Sequence, residues 1–366
     1  MEATLKQNLN IDKTNWTLVK FGDVVYEPKE TMKDIVAEGI EHVVGLEHIT
    51  TDDIHLRNSA GTEESTTFSK KFAKGDVLFG RRRAYLRKAA QAPFGGICSG
   101  DITVFRAKET LLPELLPFIV NNEKFFDYAI KHSAGGLSPR VKFKDLADYE
   151  FLLPPRDQQA QLADLLWAMD EVIEKENKVL ENQNNFIKTF IYTFLKENKK
   201  EPLIALGKVC TPKQWKTIPK KDLSNEGYLV YGGNGIIGKY IAYTHEESVI
   251  AIACRGEYCG NIHYTEPKSY VTGNSMCIDN LDLSIFNQKY LFYILYFMNL
   301  DSIITGSAQP QIIKSAVERF KINLVPMNSQ NELVGKMDKL TKNSKVIKLK
   351  IHGSQSLQKS IINQIF

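Results

Sequence analysis

Arg81-Arg82-Arg83-Ala84-Tyr85-Leu86-Arg87-Lys88 places five cations in eight residues, directly after the apolar run Val77-Leu78-Phe79. Such a cluster can lie along a nucleic acid, with some guanidiniums on phosphates and one or two forked onto base edges. The plainer reading is a solvated charged face, which most charge runs are. Two small polar loops, Ser133-Ala134-Gly135-Gly136-Leu137-Ser138-Pro139-Arg140 and Thr305-Gly306-Ser307-Ala308-Gln309-Pro310-Gln311, are turns by composition. Both also put Ser, Arg, Gln or the following Lys314 on a backbone able to approach phosphates or base edges. Tyr231-Gly232-Gly233-Asn234-Gly235-Ile236-Ile237-Gly238 contains G-x-G-x-x-G, which in a dinucleotide site must be followed by a helix. Here Lys239-Tyr240-Ile241-Ala242-Tyr243-Thr244 follows, β-branched and aromatic, so a glycine-rich hairpin open to close approach by a ligand or partner is expected.

The chain lacks the patterns of bond-making chemistry. Its seven histidines are scattered, with no H-E-x-x-H, no G-x-x-x-x-G-K-[ST] and no G-x-S-x-G. Asp52-Asp53-Ile54-His55 stands alone and reads as a loop. Leu153-Pro154-Pro155-Arg156 has neither the amide or carboxylate in front nor the aromatic behind that an amino-methyltransferase uses. The five cysteines (Cys98, Cys210, Cys254, Cys259, Cys277) form no C-x-x-C pair and read as reduced, buried residues. Residues 1–13 are polar, without a signal-peptide core, and the longest apolar run, 290–298, is about half the ~20 residues a membrane helix needs. A soluble, cytoplasmic protein that binds rather than catalyses is expected, with no catalytic residue, no cofactor, no metal and no membrane partner.

The elements that must carry these residues are written twice. Ser138-Pro139-Arg140-Val141 through Leu152-Leu153-Pro154-Pro155 matches Gln309-Pro310-Gln311-Ile312 through Asn323-Leu324-Val325-Pro326, with 310 − 139 and 326 − 155 both 171. Upstream, Phe79-Gly80-Arg81-Arg82 aligns with Ala253-Cys254-Arg255-Gly256, and Ser99-Gly100-Asp101 aligns with Thr272-Gly273-Asn274 (272 − 99 = 173). Phe21-Gly22-Asp23-Val24 resembles Leu206-Gly207-Lys208-Val209 (206 − 21 = 185), so the first half carries 185 − 173 = 12 extra residues before its arginine. An arginine thus recurs after the same strand in both halves. Each half predicts a β-rich stretch, a shorter apolar helix (near 113–131 and 287–304), a polar loop, a last strand ending in proline, and a long helix.

The first long helix, expected over 157–199, carries a seam stepping by 4 and 3 through residues 162, 166, 169, 173, 176, 180, 183, 187, 190 and 194. Glu176 and Gln183 are its polar interruptions. The second, over 328–366, repeats the seam at Leu333, Met337, Leu340, Ile347, Ile351, Ile361 and Ile365, weakened around Gly353-Ser354, where a bend is expected. Two such stripes most economically bury each other as an antiparallel pair, with the polar seam residues fixing register.

With 366 residues, 43% hydrophobic and 25% charged, the chain is ordinary globular protein of two or three domains. Forty-seven Lys and Arg against 43 Asp and Glu give +4, so any nucleic-acid surface must be local.

In this order, and duplicated, the residues resemble the specificity subunit of type I restriction–modification systems. The motifs that carry it are Leu152-Leu153-Pro154-Pro155-Arg156-Asp157-Gln158-Gln159, its copy Leu324-Val325-Pro326-Met327-Asn328-Ser329-Gln330, the Tyr231–Gly238 stretch, and Ala253-Cys254-Arg255-Gly256-Glu257-Tyr258-Cys259-Gly260-Asn261. The resemblance implies an α+β chain of two mixed α/β target-recognition domains in tandem (1–155 and 201–327), separated by two long antiparallel coiled-coil helices (156–200 and 328–366). Each recognition domain would read half of a bipartite, gapped double-stranded DNA target, and the helices would set the gap. The subunit would be non-catalytic and recruit two methyltransferase (modification) subunits that methylate adenine, then restriction subunits. S-adenosylmethionine, ATP and magnesium would sit on those partners only. Candidate DNA contacts are Arg81, Arg82, Arg83, Arg87, Ser138 and Arg140 in the first half. In the second they are Tyr231, Asn234, Lys239, Arg255, Gln309, Gln311 and Lys314. A nucleotide-dependent enzyme built on Gly233–Gly238 and a purely architectural coiled coil are the competing readings.

Overall fold

A computed structural model describes residues 11–33, 39–62, 67–298, 300–306 and 308–366. Ser307 of the second polar loop and most of the polar start lie outside them. The chain divides into two compact units, Met1–Asn177 with Leu349–Phe366, and Lys178–Lys348.

In the first unit, strand Thr17–Lys20 pairs antiparallel with the proline-terminated strand Glu150–Leu153. A four-stranded sheet runs in the order Val25–Tyr26, Ile102–Ala107, Val77–Gly80, Ala89–Gln91. A three-stranded sheet places Gly96–Cys98 between Val43–Val44 and Lys70–Phe72. Phe21, Phe79, Phe105, Phe125 and Tyr149 pack edge-on, tilted or stacked in the main core. Each such ring contributes about 1.5–3 kcal/mol by leaving water. Ile361, Ile362, Ile365 and Phe366 join the same core. Lys13 Nζ donates to the carbonyls of Gln364 (2.7 Å) and Ile365 (2.6 Å), which end a helix and lack intrahelical partners.

The second unit repeats the plan. Leu203–Ala205 pairs with Lys321–Asn323, and the four-stranded order is Thr211–Gln214, Ser275–Asp279, Ile250–Ala253, Ile262–Tyr264. The small sheets are where the copies diverge. Here Tyr228–Gly232 lies between Gly235–Tyr240 and Tyr270–Val271. The repeated glycine has a steric cause: a Cβ on Gly22 would meet Ala147 Cβ at 2.7 Å, and one on Gly207 would meet Glu318 Cβ at 2.9 Å.

The expected apolar helices are shorter than the sequence suggests. The first breaks into Leu116–Val120 and Glu123–Lys131, because Asn122 caps the second piece by accepting the Lys124 N–H at 2.8 Å. The other spans Gln288–Phe297, capped by Asn287. The long helices run Arg156–Glu197 and Met327–Ile365. The second stays helical through Gly353, where a Cβ would meet nothing within 4 Å.

In the first helix no seam residue is exposed. In the first unit the two helices meet through Gln358 to the Leu166 carbonyl and Ser354 to Glu176. In the second they meet through Gln183 to the Leu340 carbonyl and through Lys336 Nζ, 5.9 Å from the Phe190 ring centre. Partner numbers fall as helix numbers rise, so each pair runs antiparallel. The α+β assignment, with a tandem mixed α/β plan and long helices, stands.

Candidate nucleic-acid interface

The backbone geometry that carries the candidate residues is built identically in both units. In the first, Arg82 and Ala134 each bridge antiparallel to Arg140. Val141 N–H donates to the Arg81 carbonyl at 3.0 Å, and Arg83 N–H donates to that of Pro139 at 2.8 Å. In the second, Arg255 and Thr305 each bridge to Gln311, Ile312 N–H donates to Cys254 at 3.0 Å, and Gly256 N–H donates to Pro310 at 3.0 Å. The bridges make Arg82, not Arg81, the counterpart of Arg255 (255 − 82 = 173), one residue from the alignment by sequence. Arg83 then matches Gly256, and both take positive φ, 54° and 77°. A side chain in that left-handed region is uncommon, so Arg83 is held there by its surroundings.

The five clustered cations separate by what they meet. Arg82 Nη1 donates to Asp101 Oδ2 (3.1 Å) and Nη2 to Ser138 Oγ (3.1 Å), so Ser138 orients an arginine. Arg140 Nε donates to Asp101 Oδ1 at 2.8 Å. Burial pushes the Asp101 carboxyl up, but hydrogen bonds from Arg140 and Arg82 hold it below its ordinary value, so it is charged at neutral pH. Arg81 Nε donates to the Val141 carbonyl at 3.2 Å, and Lys88 Nζ to that of Leu46 at 2.6 Å. Arg83 is exposed and makes no side-chain hydrogen bond or ion pair.

Arg87 turns inward, its Nε on Asp52 Oδ1 (2.8 Å) and its guanidinium 4.8 Å from the Phe126 ring centre. Tyr231 is 6% exposed, and its hydroxyl accepts the Glu266 N–H at 3.1 Å. Burial raises its phenol pKa. Among the remaining candidates of the second unit, Asn234, Arg255, Gln309, Gln311 and Lys314 are exposed and Lys239 is half-buried. Lys314 lies 3.6 Å from Glu318.

The glycine-rich segment is a hairpin, Tyr228–Gly232 returning through Gly233-Asn234 as Gly235–Tyr240. A strand, not a helix N-terminus of the kind that receives a pyrophosphate, runs through Gly235 and Gly238, as the residues after the glycines predicted. Asp101 entered the sequence reading only as part of the repeat, and its role between two arginines is what the sequence did not reveal. Asp53 and Glu174 share Arg57, and His55 Nε2 lies 2.8 Å from Asp170 Oδ2.

The family model for the type I restriction modification DNA specificity domain matches residues 13–183 and again 198–352. The chain belongs to this specificity-domain family. It is similar to the specificity subunits of the type I restriction enzymes EcoDI and EcoprrI of Escherichia coli. The first is 28% identical over 135 residues (35% of this chain, 30% of that one), the second 22% over 162 residues (43% and 40%). The matches thus span less than half the length of these relatives. Its fold is that of the type I system S subunit from M. genitalium (TM-score 0.62, 17% identity, 99% and 98% of the chains). A chain from a structure of type I R-M complex assembly gives TM-score 0.57 at 18% identity, covering 96% of each. Among the described residues, no helix of this specificity-domain protein is long and apolar enough to cross a membrane.

Proposed function

We propose that this chain is the DNA sequence-specificity subunit of a type I restriction–modification complex. Each unit reads one half of a bipartite, gapped target through its recognition domain, 1–155 or 201–327, and the paired helices set the gap. The observation that carries the reading is the duplicated bridge. Arg82 with Arg140, and Arg255 with Gln311, stand on the same backbone frame, and these side-chain types are suited to base edges and phosphates.

The subunit itself performs no catalytic step. Adenine methylation, with S-adenosylmethionine, and ATP-dependent restriction, with magnesium, belong to two modification subunits and to restriction subunits. The first long helix offers these partners an outer stripe: Leu165, Val172, Val179 and Phe186 recur every seven residues and are 44–57% exposed. A net charge of +4 is compatible with partners that supply much of the phosphate contact.

Mapping methylated adenines in a genome that carries the chain with its modification partner tests the reading. One bipartite motif with a fixed gap is expected. Methylation at a continuous motif, or none, contradicts it.

A further inference from the structure

Asp101 uses both carboxylate oxygens on arginines, and it uses them differently. Arg82 is engaged through its terminal Nη1, with Nη2 on Ser138. Arg140 is held through Nε alone, which leaves its two terminal nitrogens without a hydrogen bond and its side chain 46% exposed. A guanidinium gripped at Nε presents the end-on Nη1/Nη2 fork, two parallel donors that match the O6 and N7 acceptors of guanine.

The second unit replaces this device at the same frame positions. Cys254 N–H donates to the Asn274 carbonyl at 2.9 Å as Arg81 N–H donates to that of Asp101, so Asn274 stands for Asp101. Gln311 stands for Arg140. An amide offers one donor and one acceptor, which match adenine N6 and N7 and not the two acceptors of guanine.

We propose that Asp101 is a positioning residue that aims Arg140 at a guanine in the half-site read by the first unit, and that Gln311 occupies the corresponding base-reading place, suited to adenine, in the second. The inference rests on the specificity-subunit reading. It adds which frame position discriminates bases, and for which base.

The test uses the full chain assembled with its modification partner and a duplex panel in which each target position is substituted in turn. Arg140→Gln relaxes or redirects one guanine position of the first half-site, by about tenfold or more, and leaves the second half-site unchanged. Arg140→Lys keeps the charge but loses the fork, and relaxes the same position. Asp101→Asn does likewise, and Asp101→Glu restores discrimination. Gln311→Arg alters one position of the second half-site only. Equal weakening of all duplexes by Arg140→Gln, with the salt slope reduced by about one, would make Arg140 a phosphate contact and overturn the inference. Unchanged discrimination in Arg140→Lys and Asp101→Asn also overturns it. A wild-type complex without bipartite preference contradicts the specificity-subunit reading instead.

Discussion

Gln159 and Gln330 stand 330 − 159 = 171 residues apart and make the same three backbone hydrogen bonds, each inside its own unit. Gln159 Nε2 donates to the carbonyls of Pro154 (3.0 Å) and Thr110 (3.1 Å), and its Oε1 accepts the Leu112 N–H (2.7 Å). Gln330 donates to Val325 (2.8 Å) and Ile285 (2.9 Å) and accepts from Asn287 (2.8 Å). The final glutamine of each quoted helix-start motif is therefore a staple between the long helix and the loop before the shorter one.

Removing the staple leaves three backbone groups without partners. Gln330→Leu and Gln159→Leu each cost about 3 kcal/mol or more, given about 1–3 kcal/mol for each of the three groups left unsatisfied. Urea unfolding of the variants checks this. A loss below about 1 kcal/mol in both contradicts the assigned role.

Much of this frame was legible in the sequence, because a repeat and a heptad seam are short-range patterns. Leu166, Ile173 and Ile187 are buried where a step of 4 and 3 puts them. The site was less legible because partners, not types, sort its cations. Arg82 and Arg87 look alike in sequence, yet one meets Asp101 and the other Asp52 and Phe126. The burial of Tyr231 was hidden for the same reason, since the group that satisfies its hydroxyl lies 266 − 231 = 35 residues downstream. A run of three arginines also leaves its own register undecided, and only the backbone bridges fix it.

Glu176, buried in the helix seam of the first unit, accepts from Ser354 Oγ (3.1 Å) and pairs with the exposed Lys350 (2.9 Å). A carboxylate there is costly in stability and useful for register. Glu176→Leu is expected to raise stability or leave it unchanged, measured by thermal unfolding. Destabilisation by more than about 2 kcal/mol means the charge is needed for stability itself.

His55 gives the first unit a pH dependence. Its hydrogen bond to Asp170 raises its pKa against the opposing effect of burial, with Glu174 adding to the rise and Arg57 subtracting. A raised histidine stabilises fully below its unfolded value near ~6.5, and the contribution is lost as pH rises through the folded value. Stability of the wild type relative to Asp170→Asn therefore declines as pH rises above about 6.5. A difference independent of pH from 5 to 9 sinks this assignment.

The helices are expected to act as the spacer. Deleting residues 178–184 together with 341–347 removes one heptad from each, about 10 Å of helix or about 3 base pairs of duplex. The mapped gap changes while both half-sites stay as they were. An unchanged gap contradicts the spacer role.

The central claim is that each unit reads its own half of the target. Replacing residues 15–150 with the recognition domain of another family member, and mapping methylated adenines in a genome carrying the hybrid, tests it most directly. One half-site should change, with the other half-site and the gap preserved. Retention of the original motif, or a change in both halves, would contradict the account.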